Sequence, residues 1–329
     1  MQHTHLAPKP TGEDGHRRIA IKVLGLRKSF GSQVALDGID LAVATGTVTA
    51  VIGPNGSGKT TTVRILSTLL APDGGTVTVD GHDVVKAPDQ VRSVIGVTGQ
   101  FAAVDNLLTG RENLSLMADL LHLGRRAGRS RVAELLDLME LTDTADKPAV
   151  TLSGGSRRRL DLAMTLVGEP RIIFLDEPTT GLDPRSRRVL WQIVRQLVAA
   201  GVTILLTTQY LEEADALADR VVVLDRGTLI AQGTPAELKR RVDGGSIQLD
   251  FADEASLARA MGVFDQVLLP TDGLSLRLAT DGSVQAVRRI LDRVATHHLD
   301  VHSLSVQPPS LDDVFFALTD HRAGLEVKP

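Results

Sequence analysis

Gly53-Pro54-Asn55-Gly56-Ser57-Gly58-Lys59-Thr60 fits the spacing G-x-x-x-x-G-K-[ST], and its residue types suit phosphate chemistry. Glycines let backbone amides approach phosphate oxygens, Lys59 supplies a point charge to the β- and γ-phosphates, and the Thr60 hydroxyl is a magnesium ligand. Further along, Ile172-Ile173-Phe174-Leu175-Asp176-Glu177 reads as an apolar strand that ends in two carboxylates. The carboxyl end of a strand is where open α/β sheets bind their ligands. Asp176 is assigned there to magnesium, through water, and Glu177 to polarising the attacking water. Between these elements, Leu152-Ser153-Gly154-Gly155 opens a helix whose amino terminus is a further anion site.

A phosphate loop presents its amides correctly only between a strand and a helix. Val48 to Ile52 is a mostly apolar run into the loop, and Thr60 to Leu70 follows with helical spacing at Val63, Leu66, Leu69 and Leu70. Ile19 to Val23, Ile39 to Val43, Thr76 to Val79 and Val94 to Val97 read as strands. Thr109 to Leu141 has a helical pattern, and Ser156 to Val167 reads as the helix opened by the Ser153-Gly154-Gly155 turn. After the Asp176 strand come Arg185 to Ala199 (helix), Val202 to Leu206 (strand) and Leu211 to Ala218 (helix). Val221 to Leu224 is expected as the last strand of this domain. The class is α/β, with a mostly parallel sheet covered on both faces.

Beyond Gly233-Thr234-Pro235 the rhythm changes. A turn at Asp243-Gly244-Gly245-Ser246 precedes strands at Ile247 to Phe251, Val263 to Leu269, Leu274 to Leu278 and Val301 to Val306. Helices at Ala255 to Met261 and Val284 to Thr296 intervene, which gives the β-α-β-β-α-β order of a ferredoxin-like α+β unit. A short helix, Leu311 to Leu318, follows. The expected organisation is a flexible tail at 1–18, a nucleotide-binding domain at 19–242 and a small accessory domain at 246–320.

Composition narrows the class. The 329 residues are 43% hydrophobic and 23% charged, as in an ordinary globular protein. Lys plus Arg number 36 against 40 Asp plus Glu, for a net charge of −4, which speaks against a nucleic-acid partner. Cysteine is absent, which excludes disulfides, thiolate metal sites and thiol nucleophiles. The first eighteen residues lack the apolar core of a signal peptide, and no stretch is apolar for long enough to span a bilayer. A cytosolic chain that reaches a membrane only through a partner is expected.

Taken in this order, the motifs resemble the ATP-binding subunits of ABC (ATP-binding cassette) transporters over roughly residues 20 to 240. The resemblance implies a P-loop ABC nucleotide-binding domain with a helical subdomain, binding ATP and Mg2+ and working as a homodimer. Leu152 to Ser156 matches the signature motif, with Ser156 where the family usually has Gln. Ser153, Gly154 and Gly155 are then expected to cap ATP held by the other copy's Lys59 loop. Gln100 matches the glutamine that contacts magnesium and couples to the membrane partner, and Gly181-Leu182-Asp183 matches the loop that meets its counterpart across the dimer. Phe30 stands where the family has an aromatic platform for adenine, an ordinary core residue being the other reading, and Thr61 extends the nucleotide-binding set.

The segment from Thr207 to Asp215 aligns with the family's switch, with Gln209 in place of the usual histidine. A glutamine amide can donate to the γ-phosphate but cannot titrate near neutrality. Gln209, Gln100 in a Val-Thr-Gly-Gln context, and the closing Pro309 to Phe315 resemble the daunorubicin-resistance group of drug exporters. This implies a separate ABC-2-type permease as partner, contacted near Gln100 and residues 101 to 141, at the cytoplasmic face of the membrane. A soluble cassette ATPase acting on ribosomes or DNA, and a binding subunit with negligible turnover, are the alternatives. Arg157-Arg158-Arg159 is expected to be a solvated or interface-facing stretch of helix, and His297, His298 and His302 to be exposed.

Overall fold

The computed structural model describes residues 18–99, 103–240, 245–264, 267–268, 273–280, 283–307 and 309–323. All of the tail expected at 1–18 except Arg18, residues 243 and 244 of the expected turn, and Gln100 lie outside them. The chain divides into two compact units at Pro235–Ala236.

In the first unit the elements run β1 (Ile19–Phe30), β2 (Gln33–Ala44), β3 (Val48–Ile52), α1 (Lys59–Leu66), β4 (Gly74–Val79), β5 (His82–Asp83), α2 (Pro88–Arg92) and β6 (Ile95–Thr98). Helices α3 (Gly110–Leu120), α4 (Arg125–Leu138) and α5 (Gly154–Leu166) follow. Then come β7 (Ile172–Asp176), α6 (Pro184–Ala199), β8 (Thr203–Thr208), α7 (Leu211–Leu217), β9 (Arg220–Asp225) and β10 (Thr228–Gly233), with α8 (Pro235–Lys239) beginning at the division.

Two sheets share one core. The larger has the order β10-β9-β3-β8-β7-β6, parallel from β9 to β6. Strands β3, β7 and β8 are buried at every residue, as central strands covered on both faces must be. The smaller sheet, β2-β1-β4-β5, is antiparallel. Helix α1 packs between them: Val63, Ile65 and Leu66 join Ile21, Leu26 and Leu36 from one sheet and Phe174, Leu205 and Val222 from the other. The phosphate loop is therefore held from both sides.

The expected parallel sheet is present, and two expectations are corrected. Val221 to Leu224 is not the last strand of this unit. Arg226 and Gly227 both have positive φ, the geometry of a two-residue hairpin turn, and return the chain as β10 against β9. The helical stretch from Thr109 to Leu141 is two helices, broken where His122 takes a positive φ ahead of Gly124, the N-cap of α4. Helix α3 begins at a reciprocal cap between Thr109 and Glu112.

The second unit contains β11 (Gly245–Phe251), α9 (Glu254–Met261), β12 (Val267–Leu268), β13 (Ser275–Thr280), α10 (Val284–Thr296), β14 (Val301–Gln307) and α11 (Leu311–Ala323). Its antiparallel sheet has the order β12-β13-β11-β14, the strand order of the expected ferredoxin-like unit. Ile247, Leu249 and Phe251 alternate inward to meet Ala260, Phe264, Leu276 and Leu299. No helix among the described residues is long and apolar enough to cross a membrane.

Candidate functional site

The loop before α1 depends on glycine at two positions, and at Gly53 a Cβ would lie 2.2 Å from the Leu224 carbonyl. Gly58 caps the helix at φ +106, and a Cβ there would lie 2.5 Å from Leu36 Cδ2 and 2.9 Å from the Ala35 carbonyl. No side chain caps α1, so its first-turn amides are left to a ligand. Nearby, the buried Ser57 Oγ has no hydrogen-bond partner among the described residues. The Lys59 side chain is only 4% exposed and folds back on the loop. Its Nζ donates to the carbonyls of Gly53 at 2.8 Å and Pro54 at 3.0 Å, and lies 3.9 Å from Glu177 Oε1. Burial lowers the pKa of Lys59 and outweighs the opposing pull of Glu177 and Asp176.

Asp176 and Glu177 meet this loop from the end of β7. Thr60 Oγ1 is 3.3 Å from Asp176 Oδ1, which also accepts a bond from the buried hydroxyl of Thr207 at the end of β8. A hydroxyl and a carboxylate converging at a phosphate loop are the hard oxygen donors that suit Mg2+, so Thr60 and Asp176 fit the metal. Glu177 adopts φ +49, a left-handed conformation that costs on the order of 1 kcal/mol in a residue with a Cβ. Its amide donates to both the carbonyl and the hydroxyl oxygen of Thr207, and Thr180 Oγ1 lies 3.3 Å from its Oε2. Thr207 thus braces both carboxylate residues. Sequence alone places Thr207 at the head of the switch segment without a role of its own, although a threonine at the end of the apolar run Ile204 to Leu206 is a visible signal.

The signature residues form a second cluster. Ser153 is the N-cap of α5; its Oγ accepts from the Ser156 amide at 3.2 Å and lies 3.0 Å from Ser156 Oγ. Ser153 and Gly154 are exposed, whereas Gly155 is buried against α6: a Cβ on it would come within 2.3 Å of Ser186 Oγ. That hydroxyl donates to Asp183 Oδ2 at 2.6 Å, while Asp183 Oδ1 caps α6 by accepting from the amides of Arg185 and Ser186. The Ser186 bonds lower the pKa of Asp183. Signature loop and Asp183 loop therefore belong to one contact network within a single chain.

Arg158 corrects the expectation of a solvated or interface-facing arginine run. Its side chain is 11% exposed and is paired with the buried Asp161 at 3.1 Å. The physical reason is helical spacing: Arg158 lies three residues from both Gly155 and Asp161, on the inward stripe of α5. Burial pushes the Asp161 carboxyl up, against the pull of the Ala103 amide and Arg158.

The remaining expected residues are less enclosed. Gln209 is exposed at the start of the switch segment. Next to it, the Tyr210 ring lies 5.1 Å under the Arg187 guanidinium, and Glu213 is buried in α7. Phe30 ends β1 with 46% exposure and Lys28 Nζ 5.7 Å above its ring, so it is not a core residue. Pro54, Asn55 and Gly56 are exposed along the loop, and Thr61 is half-buried on α1.

Residues 36–180 match the ABC transporter family model, and residues 233–319 match the C-terminal domain of ATP-binding proteins of the DrrA1-3 type. The chain is 49% identical to the daunorubicin resistance ATP-binding protein DrrA2 of Streptomyces coeruleorubidus, covering 92% of this chain and 96% of that protein. It is 42% identical to the doxorubicin resistance ATP-binding protein DrrA of Mycobacterium tuberculosis, covering 92% and 94% respectively. To the Nod factor export ATP-binding protein I of Ralstonia nicotianae it is 36% identical, covering 91% and 93%. Among solved structures, a subunit of a Clostridium perfringens ABC transporter complex aligns with a TM-score of 0.63 and 29% identity, over 68% of this chain and 94% of that one. A dimeric post-hydrolysis ATP-binding cassette bound to ADP and Pi aligns with a TM-score of 0.59 and 28% identity, over 65% and 98%.

Proposed function

The chain belongs to the ATP-binding subunits of ABC transporters, and from that membership we propose that it hydrolyses ATP to drive a separate ABC-2-type permease that exports a drug. The observation that carries the reading is the meeting of Lys59, Thr60, Asp176 and Glu177 at the carboxyl ends of β3 and β7. ATP binds with its phosphates on the amides at the start of α1. Lys59 Nζ exchanges the Gly53 and Pro54 carbonyls for β- and γ-phosphate oxygens. Thr60 and Asp176, with Gln100, would hold Mg2+, which would supply positive charge against those phosphates. Glu177 orients a water and accepts its proton as the oxygen attacks the γ-phosphorus and the bond to ADP breaks. The exposed Gln209 amide donates to a γ-phosphate oxygen, and Phe30 stacks on adenine.

Two copies enclose two nucleotides. Each is held between one copy's phosphate loop and the other's Ser153, Gly154 and Gly155, with Asp183 facing its counterpart. The exposure of Ser153 and Gly154 supports that arrangement. The assembly works at the cytoplasmic face of the membrane as a peripheral subunit. The names of the daunorubicin- and doxorubicin-resistance relatives support drug as the cargo.

The test is ATPase activity and daunorubicin accumulation in cells that express the chain with its permease. Wild type should hydrolyse ATP and lower accumulation, and Glu177→Gln should lose about 100-fold or more in kcat while still binding ATP. Equal turnover by Glu177→Gln would remove Glu177 from the role of base. Accumulation unchanged by an active wild type would remove drug as the cargo.

A further inference from the structure

Arg158 reaches four acceptors in three segments of the first unit. Its Nε donates to the Pro178 carbonyl at 2.9 Å, Nη2 to the Asp176 carbonyl at 3.2 Å, and Nη1 to the Gly99 carbonyl at 2.9 Å and to Asp161 Oδ2 at 3.1 Å. Asp161, one turn along α5, accepts from the Ala103 amide through its other oxygen at 2.8 Å. Only a guanidinium, with five N–H groups in a rigid fork, can serve this set at once.

The placement of these acceptors gives the contact its meaning. The carbonyls of Asp176 and Pro178 flank Glu177, whose own backbone is held at φ +49. A residue in that region keeps its conformation only when its surroundings over-determine it. Thr207 holds Glu177 from the β8 side, and Arg158 holds its two neighbours from the α5 side. A buried ion pair such as Arg158 with Asp161 adds little net stability, so its contribution lies in fixing geometry. Helix α5 is capped by the exposed Ser153, the residue assigned above to the contact with a second copy.

We propose that Arg158 is a positioning residue: it sets the backbone on both sides of Glu177 and ties that setting to helix α5, so that engagement of Ser153 by a second copy aligns the base in the first copy's own site. The proposal rests on the reading of Glu177 as base and of Ser153 as the contact across the dimer. Neither residue is assigned a contact with nucleotide: Arg158 acts through the carbonyls of residues 176 and 178, and Asp161 acts by holding Arg158.

The test uses the full chain and measures kcat, binding of a fluorescent ATP analogue and thermal melting for Arg158→Lys and for Arg158→Gln/Asp161→Asn. The double variant removes both buried charges, so neither is stranded unpaired. Both variants should keep ATP binding and stay folded at the assay temperature, with some drop in melting temperature from the carbonyls left unpaired, while kcat falls about 100-fold, the scale of a misplaced catalytic group. Adding Ser153→Ala to Arg158→Lys should cost clearly less than Ser153→Ala costs in wild type, because the two substitutions share one path and only the direct nucleotide contact of Ser153 remains to be lost. Losses that track ATP binding or unfolding at the assay temperature, or that add fully to those of Ser153→Ala, would overturn the assignment. Glu177→Gln separates the two levels: a fully active Glu177→Gln removes the underlying reading, whereas an inactive Glu177→Gln beside a fully active Arg158→Lys removes this inference alone.

Discussion

The indole Nε1 of Trp191 in α6 donates to Glu213 Oε1 in α7 at 3.1 Å, with both side chains buried. Burial pushes the Glu213 pKa above its ordinary 4.5, against the pull of the Trp191 hydrogen bond and of the Arg187 charge. Arg158, on α5, is the other cation that feels this carboxyl. A carboxyl raised on folding favours the neutral form, so its contribution to stability is full below 4.5 and is lost as pH climbs through the folded value. Glu213→Gln stays neutral and can still accept the indole N–H. Its melting temperature should exceed that of wild type near about pH 8, with the gap closing as pH falls toward the unfolded value. The chain has one tryptophan, so Trp191 emission reports the titration directly. A wild-type midpoint at or below 4.5 would contradict the raised pKa.

Thr207 should matter to the metal more than to the fold. Thr207→Val keeps the shape of β8 but deletes the hydroxyl that bonds the Asp176 carboxylate and faces the Glu177 amide. The fully buried site loses about 1 to 3 kcal/mol for the partners left short. Removing a group that orients a metal ligand typically costs about 10- to 100-fold in metal affinity. The Mg2+ concentration giving half-maximal ATPase activity should therefore rise by that factor while ATP binding without metal is unchanged. Loss of stability without a shift in Mg2+ dependence would reduce Thr207 to a packing role.

Asp183 separates a structural job from a functional one. Its carboxylate caps α6 through two amides, so Asp183→Ala should lower the melting temperature. Asparagine caps about as well, and Asp183→Asn should melt like wild type. By the proposed arrangement the charge faces a second copy, so Asp183→Asn should still lower kcat. An Asp183→Asn variant with full turnover would leave the residue only its cap.

Much of this was legible because the chemistry is written in contiguous residues. The phosphate loop and the Ile172 to Glu177 strand each carry their own context, and in the structure Lys59 and Thr60 meet Glu177 and Asp176 as that context required. What escaped was set by contacts between segments distant in sequence. Thr207 reaches Asp176 across 31 positions, and Arg158 reaches the Gly99 carbonyl across 59. Within the arginine run, polarity alone points to solvent or an interface. Only the three-residue spacing from Gly155 and Asp161 marks Arg158 as the inward one. The hairpin to β10 was missed for a local reason, since Arg226 supplies a positive φ that sequence usually signals with Asn or Asp. The small antiparallel sheet was missed for another: alternating strands look the same whichever sheet they join.

The contact between Gly155 and Ser186 predicts a rescue. Gly155→Ala places a methyl 2.3 Å from Ser186 Oγ and 2.7 Å from Ser186 Cβ, so α5 or α6 must shift. Shifting α5 moves Ser153 at its tip, and shifting α6 moves Asp183, both at the surface assigned to the second copy. The expected result is a kcat lowered by about 10- to 100-fold with ATP binding retained. Ser186→Gly removes both clashing atoms, at the expense of the Ser186 bond to Asp183. Combined with Gly155→Ala it should recover most of the lost turnover, a coupling on the order of 1 kcal/mol or more. Ser186→Ala should rescue less, because its Cβ stays in the way. If the Gly155 and Ser186 losses simply add, the two segments do not touch in the state that turns over. In that case the link from the signature loop to Asp183 would have to run through the second copy.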